Sequence, residues 1–219
     1  MKSRQPEPAP YHHGNLRRAL IAAALEMVTE EQDWTFSLRE VARRAGVSPS
    51  APYNHFADKR DLLTEVAASG FERLRDGLAA SVADLRSAPD AFIACLGTYV
   101  QLGMDNPALY RLMFGPELTA FKGAERPPKL VTAGNEGKAI LSRVISEGAC
   151  SGDFPSSLVE EGPLALSTFV AWSAVHGLTM LVIDNLTGIH VSAQAGIEAA
   201  IQTQLGGLRN RLPHTPGEV

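Results

Sequence analysis

The chain has 219 residues, 45% hydrophobic and 20% charged, with a formal charge of −4. That length suits one large domain or a small domain joined to a larger one, and the composition excludes wholesale disorder, collagen-like repeats and acidic solvating tails. Charge is unevenly spread: residues 1–75 carry 11 basic and 10 acidic side chains and the remainder 9 and 14, so a polyanionic partner is expected to meet the N-terminal part.

The first residues, MKSRQPEPAPYHHGN, contain three prolines and no apolar run. Residues 1–13 therefore read as a flexible arm and not as a secretory signal. Helical patterning follows. Leu16, Leu20, Ala23 and Met27 share a stripe with Ala24 and Val28 beside it, and Arg17, Arg18, Glu26 and Glu30 lie opposite, which predicts an amphipathic helix over Leu16–Glu31. Trp34 and Phe36 end the connection. Ser37 and Glu40 then form an S-x-x-E capping box, in which the hydroxyl accepts from a first-turn N–H and the carboxylate returns to the serine N–H. A second helix is expected over Leu38–Ala45, stopping at Gly46, a residue type that tolerates a left-handed turn. Ser48 and Pro49 offer an N-cap and a first-position proline for a short third helix ending near Phe56 and Ala57. Asp58 caps a fourth, along which Leu62, Leu63, Val66, Phe71, Leu74 and Leu78 recur at helical spacing.

Beyond Leu85, helices are expected at about Pro89–Met104, Ala108–Phe114, Leu130–Gly148, Leu158–Asp184 and Ser192–Arg211, with a Gly- and Pro-rich loop over Gly115–Pro128 and a flexible tail over 213–219. The sum is an all-α chain of about nine helices. Gly162–Ile183 carries no formal charge over 22 residues. Ser167, Thr168, Ser173, His176, Gly177 and Thr179 interrupt that run, Glu160, Glu161 and Asp184 flank it, and neither end has Lys or Arg. It reads as a soluble helix buried on most sides and not as a membrane span. Cys95 and Cys150 are far apart in apolar surroundings, which excludes a disulfide scaffold or a CxxC metal site. They read as small buried hydrophobes, a redox-sensing pair being the lesser alternative.

Function concentrates between Ser37 and Lys59. Two helices joined by a short glycine-containing turn make a helix-turn-helix over about residues 37–56. Ala42 is the small residue where the second element crosses, and Val47 pins the turn. Leu38, Val41, Pro52 and Phe56 point inward on this spacing, which leaves Ser50, Tyr53 and Asn54 outward, side chains suited to base edges and phosphates in a major groove about 12 Å wide. Arg39, Arg43, Arg44, Lys59 and Arg60 against Glu40 and Asp58 give residues 37–60 a local charge of +3, of the sign that phosphate neutralisation requires. Alternatively such a corner merely packs, and its charges decorate a solvated face.

The wider pattern is more specific. FSLREVARRAGVSPSAPYNHFADKRDLL resembles the DNA-binding signature of TetR-family transcriptional repressors, in which an aromatic-x-His-Phe string closes the recognition helix and a lysine opens the next; Tyr53, His55, Phe56, Lys59, Leu62 and Leu63 match, and the likeness covers about residues 12–75. The resemblance implies a DNA-binding domain over 14–75, a regulatory and dimerisation domain over 85–212, and a cytoplasmic, ligand-responsive repressor. It assigns Arg39 to a guanine, Pro49, Ser50, Ala51 and Asn54 to bases, and Tyr53, His55 and Lys59 to phosphates. Pro52 departs from the usual leucine and removes a first-turn N–H where its loss costs least. The Ala-Pro-Tyr string and Tyr11–Gly14 are similar to one subgroup, in which His12 and His13 serve as a DNA-touching arm or simply as an ordered N-terminus.

Further on, Trp172, His176 and Gly177 in AWSAVHGL resemble the WHG type of TetR C-terminal domain. That likeness implies a homodimer through the last two long helices, which explains how a soluble protein keeps an uncharged helix. A palindromic double-stranded DNA operator and a small, mostly apolar effector complete the implied partners, with no cofactor, metal or membrane. Tyr99, Met104, Tyr110, Met113, Phe114, Trp172 and His176 are the candidate effector contacts; each reads also as plain core, and His176 as a satisfied core histidine. No G-x-S-x-G, Walker loop, G-x-G-x-x-G, HExxH or paired Cys/His pattern supports the competing classes of enzyme or metal protein. A helical interaction module without DNA affinity remains the other alternative.

Overall fold

The computed structural model describes residues 13–119, 127–155, 166–186 and 193–209. Among these are nine α-helices, one 3₁₀ turn and no strand. Helix α1 spans His13–Glu31, α2 Leu38–Arg44 and α3 Lys59–Val82, with the 3₁₀ turn Ala51–Asn54 between the last two. Then follow α4 (Ala88–Asp105), α5 (Pro107–Phe114), the four-residue α6 (Pro116–Thr119), α7 (Pro128–Ser151), α8 (Leu166–Ile183) and α9 (Ala193–Arg209). His12 and nearly all of the expected arm, the tail over 213–219, and Glu160 and Glu161 lie outside the described residues.

The capping signals act as expected. Ser37 is extended at φ −94°, its hydroxyl accepts from Glu40 N, and the Glu40 carboxylate accepts from Ser37 N at 2.6 Å. Gly46 turns the chain at φ +69°, a region that glycine enters without steric penalty. Asp58 accepts from Asp61 N at 2.8 Å, and Asp61 accepts in return from Ala57 N. Leu20, Ala24 and Val28 of α1, Val41 of α2, Phe56, and Leu62 and Val66 of α3 are sealed into one core. α3 continues past residue 75 without a break, and its C-terminal half packs against α4 and α7. One rod thus belongs to both ends of the molecule.

Four expectations are corrected. The third helix is a 3₁₀ turn with Ser50 as its N-cap, not an α-helix capped at Ser48. Pro52 lacks a donor and disfavours α geometry at Ala51, so the bonds run i→i−3, from Ala51 N to Ser48 O and from Tyr53 N to Ser50 O. The loop over 115–128 contains α6. Cys150 is exposed, whereas Cys95 is buried, its thiol pushed up to about 11 by burial. Helix α8, mean hydropathy 1.6 and long enough to cross a membrane, has only 28% of its residues buried within this chain. Its inward face carries Ser167, Thr168, Ala171, Val175 and Thr179, none larger than valine; the outward face carries Leu166, Phe169, Val170 and Leu181, each 44–49% exposed.

Candidate functional site

Two regions hold the chemistry, one at each end of α3. At the N-terminal end, Arg39 on the outer side of α2 is exposed, as are Pro49, Ser50, Tyr53 and Asn54 around the 3₁₀ turn. Tyr53 is 54% exposed, whereas Tyr99 and Tyr110 are buried, and Pro52 and Phe56 beneath it are buried too. Ala51, His55 and Lys59 are half-buried. The Lys59 ammonium sits 5.4 Å from the Phe36 ring centroid, and burial lowers its pKa while Asp33 and Glu40 partly compensate.

The basic residues do not all face the same way. Arg44 turns back to Glu30 and Glu26 of α1, so its charge braces the scaffold. Arg17 lies over the Phe56 ring at 5.2 Å and pairs with Glu65 of α3 at 3.0 Å. Glu65 also receives Lys129 from the start of α7. Burial raises the Glu65 pKa, but the two cations outweigh it and hold the carboxyl below its ordinary range. This three-residue cluster ties α1, α3 and α7 together. No spacing rule in the sequence links residues 17, 65 and 129, because their proximity exists only in the folded chain.

At the other end of α3 lies an internal cavity among α3, α4, α5, α7 and α8. Phe71, Leu74 and Leu78 come from α3, Leu96 and Tyr99 from α4, Phe114 from α5, Leu141 from α7 and Val175 from α8. Its α7 wall includes Gly134 and Gly137, where a Cβ would sit 3.6 Å from Phe71 and 3.9 Å from Leu78. The void measures only about 30 Å³. A drug-sized ligand needs about 300 Å³ or more, so this conformation is collapsed around the space.

The candidate effector residues divide. Tyr99, Phe114 and Trp172 line the cavity. Tyr110 and His176 stand behind it: the two phenols and His176 Nδ1 form a triangle of 2.6, 3.1 and 3.2 Å. Burial lowers the His176 pKa, and its Nδ1 shares hydrogen bonds with both phenols, the ring tautomer setting which partner donates. Burial likewise raises Tyr99 to about 12 and raises Tyr110 further. Trp172 stacks on His176 at 5.8 Å and 27°, which fits their i, i+4 spacing. Met113 is a packing plug against Gly70, where a Cβ would meet its sulfur at 2.6 Å. Met104, 37% exposed, faces the separate cleft between α4 and α9. Tyr99 and Met104 are five residues apart, about 140° around a helix, so they do not share a wall.

An all-helical chain with an exposed turn on a helix-turn-helix and a closed cavity in the helices behind it defines a helix-turn-helix regulator class. Residues 20–66 match the family model described as bacterial regulatory proteins, tetR family, and residues 92–204 match that of the tetracyclin repressor-like C-terminal domain. The chain therefore belongs to the TetR family of transcriptional regulators. A protein of unknown function from Rhodococcus sp. RHA1 is similar at 32% identity and TM-score 0.75, covering 93% of this chain and all of that one. The fatty acid degradation regulator FadR from Bacillus halodurans shares the fold at 18% identity and TM-score 0.68, covering 94% of this chain and 100% of its own. FadR from Bacillus subtilis, in complex with stearoyl-CoA, does so at 18% identity and TM-score 0.66, covering 87% and 98%. In this family α8 is not a membrane span.

Proposed function

We propose that the chain is a cytoplasmic, homodimeric repressor, not an enzyme, that binds a palindromic operator and is released by a small, mostly apolar effector. Residues 14–75 form the DNA-binding unit and 85–212 the regulatory and dimerisation unit, joined through the continuous α3. The observation that carries this reading is the exposure of Ser50, Tyr53 and Asn54 beside Arg39, on a turn anchored by buried Pro52 and Phe56. Arg39 reads a guanine, Pro49, Ser50, Ala51 and Asn54 meet base edges, and Tyr53, His55 and Lys59 fix the register on phosphates. Two copies place their turns in successive major grooves, about 34–36 Å apart.

The outward apolar face of α8 supports dimerisation: a helix that turns its small polar side chains inward and Phe169, Val170 and Leu181 outward leaves apolar surface for a partner. The collapsed cavity supports regulation. Phe71, Leu74 and Leu78 in its wall ride on the same helix as Lys59, so a ligand that opens the space by moving them also moves the DNA-binding end. Such a ligand lowers operator affinity by as much as it prefers the open conformer. Selection from a random duplex pool tests the reading. Enrichment of an inverted repeat supports it, and retention of no duplex at low salt refutes it.

A further inference from the structure

A chain of contacts runs from the cavity wall to the DNA-contacting turn. Lys129 stands in the first turn of α7, and Gly134, five residues on and about 7.5 Å along the helix, is already part of the wall. The Lys129 ammonium meets Glu65 of α3, and Glu65 also holds Arg17 of α1 at 3.0 Å. Only 12% of the Glu65 side chain is exposed, so neither pair is fully screened by water. Asp61, the other carboxylate near Arg17, accepts from Ala57 N at 3.2 Å. Arg17 in turn lies 5.2 Å from the Phe56 ring centroid. Phe56 is sealed in the core, and its N–H and that of His55 both donate to Pro52 O at 2.9 Å, closing the turn that presents Tyr53 and Asn54.

We propose that Glu65 is a positioning residue for DNA recognition: by holding Arg17 against Phe56 on one side and Lys129 on the other, it makes the seating of the Ala51–Asn54 turn depend on where α7 stands. The inference rests on the reading of that turn as the DNA contact. Two simpler roles compete. As a bystander charge, Glu65 repels a polyanion, so removing it would tighten binding. As a plain stability bridge, its loss would lower the unfolding midpoint and leave the affinity of the folded chain unchanged. As a positioning residue it acts against its own charge: removing the carboxylate releases Arg17 from Phe56 and weakens duplex binding. A shift of α7 on opening of the cavity carries Lys129 with it, which gives the regulatory half a route to the turn alongside α3 itself. Coupling through such contacts is measured by a double-mutant cycle.

The test is the affinity of the full chain for the duplex it enriches from a random pool, read by fluorescence anisotropy at several salt concentrations and at a temperature where circular dichroism shows each variant folded. Glu65→Gln is expected to weaken binding about tenfold with an unchanged salt slope, because no phosphate contact is lost. Lys129→Met should weaken it about threefold to tenfold alone and not at all in the Glu65→Gln background, where a loss through the general field of the charge would persist. Lys129→Arg should bind as the unmodified chain does. Tighter binding by Glu65→Gln, unchanged affinity in the single variants, or additive losses in the double variant would overturn the inference and leave the turn as the DNA contact. Lys129 is exposed, so its variants carry the test should Glu65→Gln fail to fold, and a Lys129→Met chain with the parent affinity then overturns the inference. Retention of no duplex by the unmodified chain would overturn the inference and the DNA reading together.

Discussion

The tightest helix crossing near the cavity offers a quantitative test. Gly103 of α4 lies against α8: a Cβ there would meet Thr179 Cγ2 at 2.3 Å and Tyr110 Cδ2 at 3.3 Å. Carbon atoms rest at about 3.5–4.0 Å, so Gly103→Ala forces one of two responses. Either α4 and α8 separate by more than about 1 Å, at an overpacking cost of about 1–3 kcal/mol, or Thr179 rotates. Thr179 is wholly buried, and its hydroxyl donates to Val175 O at 2.8 Å, a bond that rotation would break. Leaving that hydroxyl unpaired costs about 1–3 kcal/mol. Alanine in a helix returns about 0.5–1 kcal/mol relative to glycine. The net expectation is a loss of about 1–2 kcal/mol in urea unfolding, with an unchanged m-value. Thr179→Ser removes Cγ2 and keeps the hydroxyl, so the double variant should recover most of the loss. A Gly103→Ala variant as stable as the parent, or a double variant with no recovery, would refute the claimed crossing.

Four other outcomes are expected. Tyr53→Ala or Lys59→Ala should weaken binding to all duplexes, whereas Arg39→Ala should cost about 1–3 kcal/mol and also relax selectivity at one base pair, as competition with single-base operator variants would report. Gly134→Ala, whose Cβ meets Phe71 at an ordinary 3.6 Å, should narrow the cavity and weaken stabilisation by an apolar ligand in thermal unfolding while leaving duplex binding intact. Phe169→Glu with Leu181→Glu should shift sedimentation from dimer to monomer. The lowered pKa of His176 stabilises the folded chain above the ordinary imidazole range near 6.5, and this contribution is lost as pH falls below it; urea midpoints should drop between neutral pH and about pH 5, and His176→Gln should flatten that part of the curve.

Much of the fold was legible because its signals are local. Ser37 with Glu40, Gly46, and Asp58 mark helix ends through bonds that span no more than four residues, and the buried stripe from Leu62 to Leu78 follows helical period. Pro52 shows where local reading misled: Ser48–Pro49 looks like an α-helix start, yet a proline three residues later shortens the element to a 3₁₀ turn. The outward placement of Ser50, Tyr53 and Asn54 survived that error, since burial of Pro52 and Phe56 alone decides which side is left. The cavity was less legible. Period identifies Tyr99 and Trp172 as inward residues, but Lys138 over Trp172, the Gly134 and Gly137 wall, and the Arg17–Glu65–Lys129 cluster each join distant segments. The exposed face of α8 was anticipated only through the family resemblance, because by composition an uncharged helix looks the same whether its own chain or a second copy covers it.

If the Ser37–Lys59 unit docks on duplex DNA by phosphate neutralisation and base contact, its affinity must fall as salt rises. The equilibrium affinity of the full chain for a selected operator at rising salt concentration, alongside Tyr53→Ala and Lys59→Ala, measures this most directly. Log K is expected to fall linearly with log salt, by about 0.9 per phosphate contacted, with a shallower slope for Lys59→Ala. An affinity indifferent to salt and to both substitutions would contradict it.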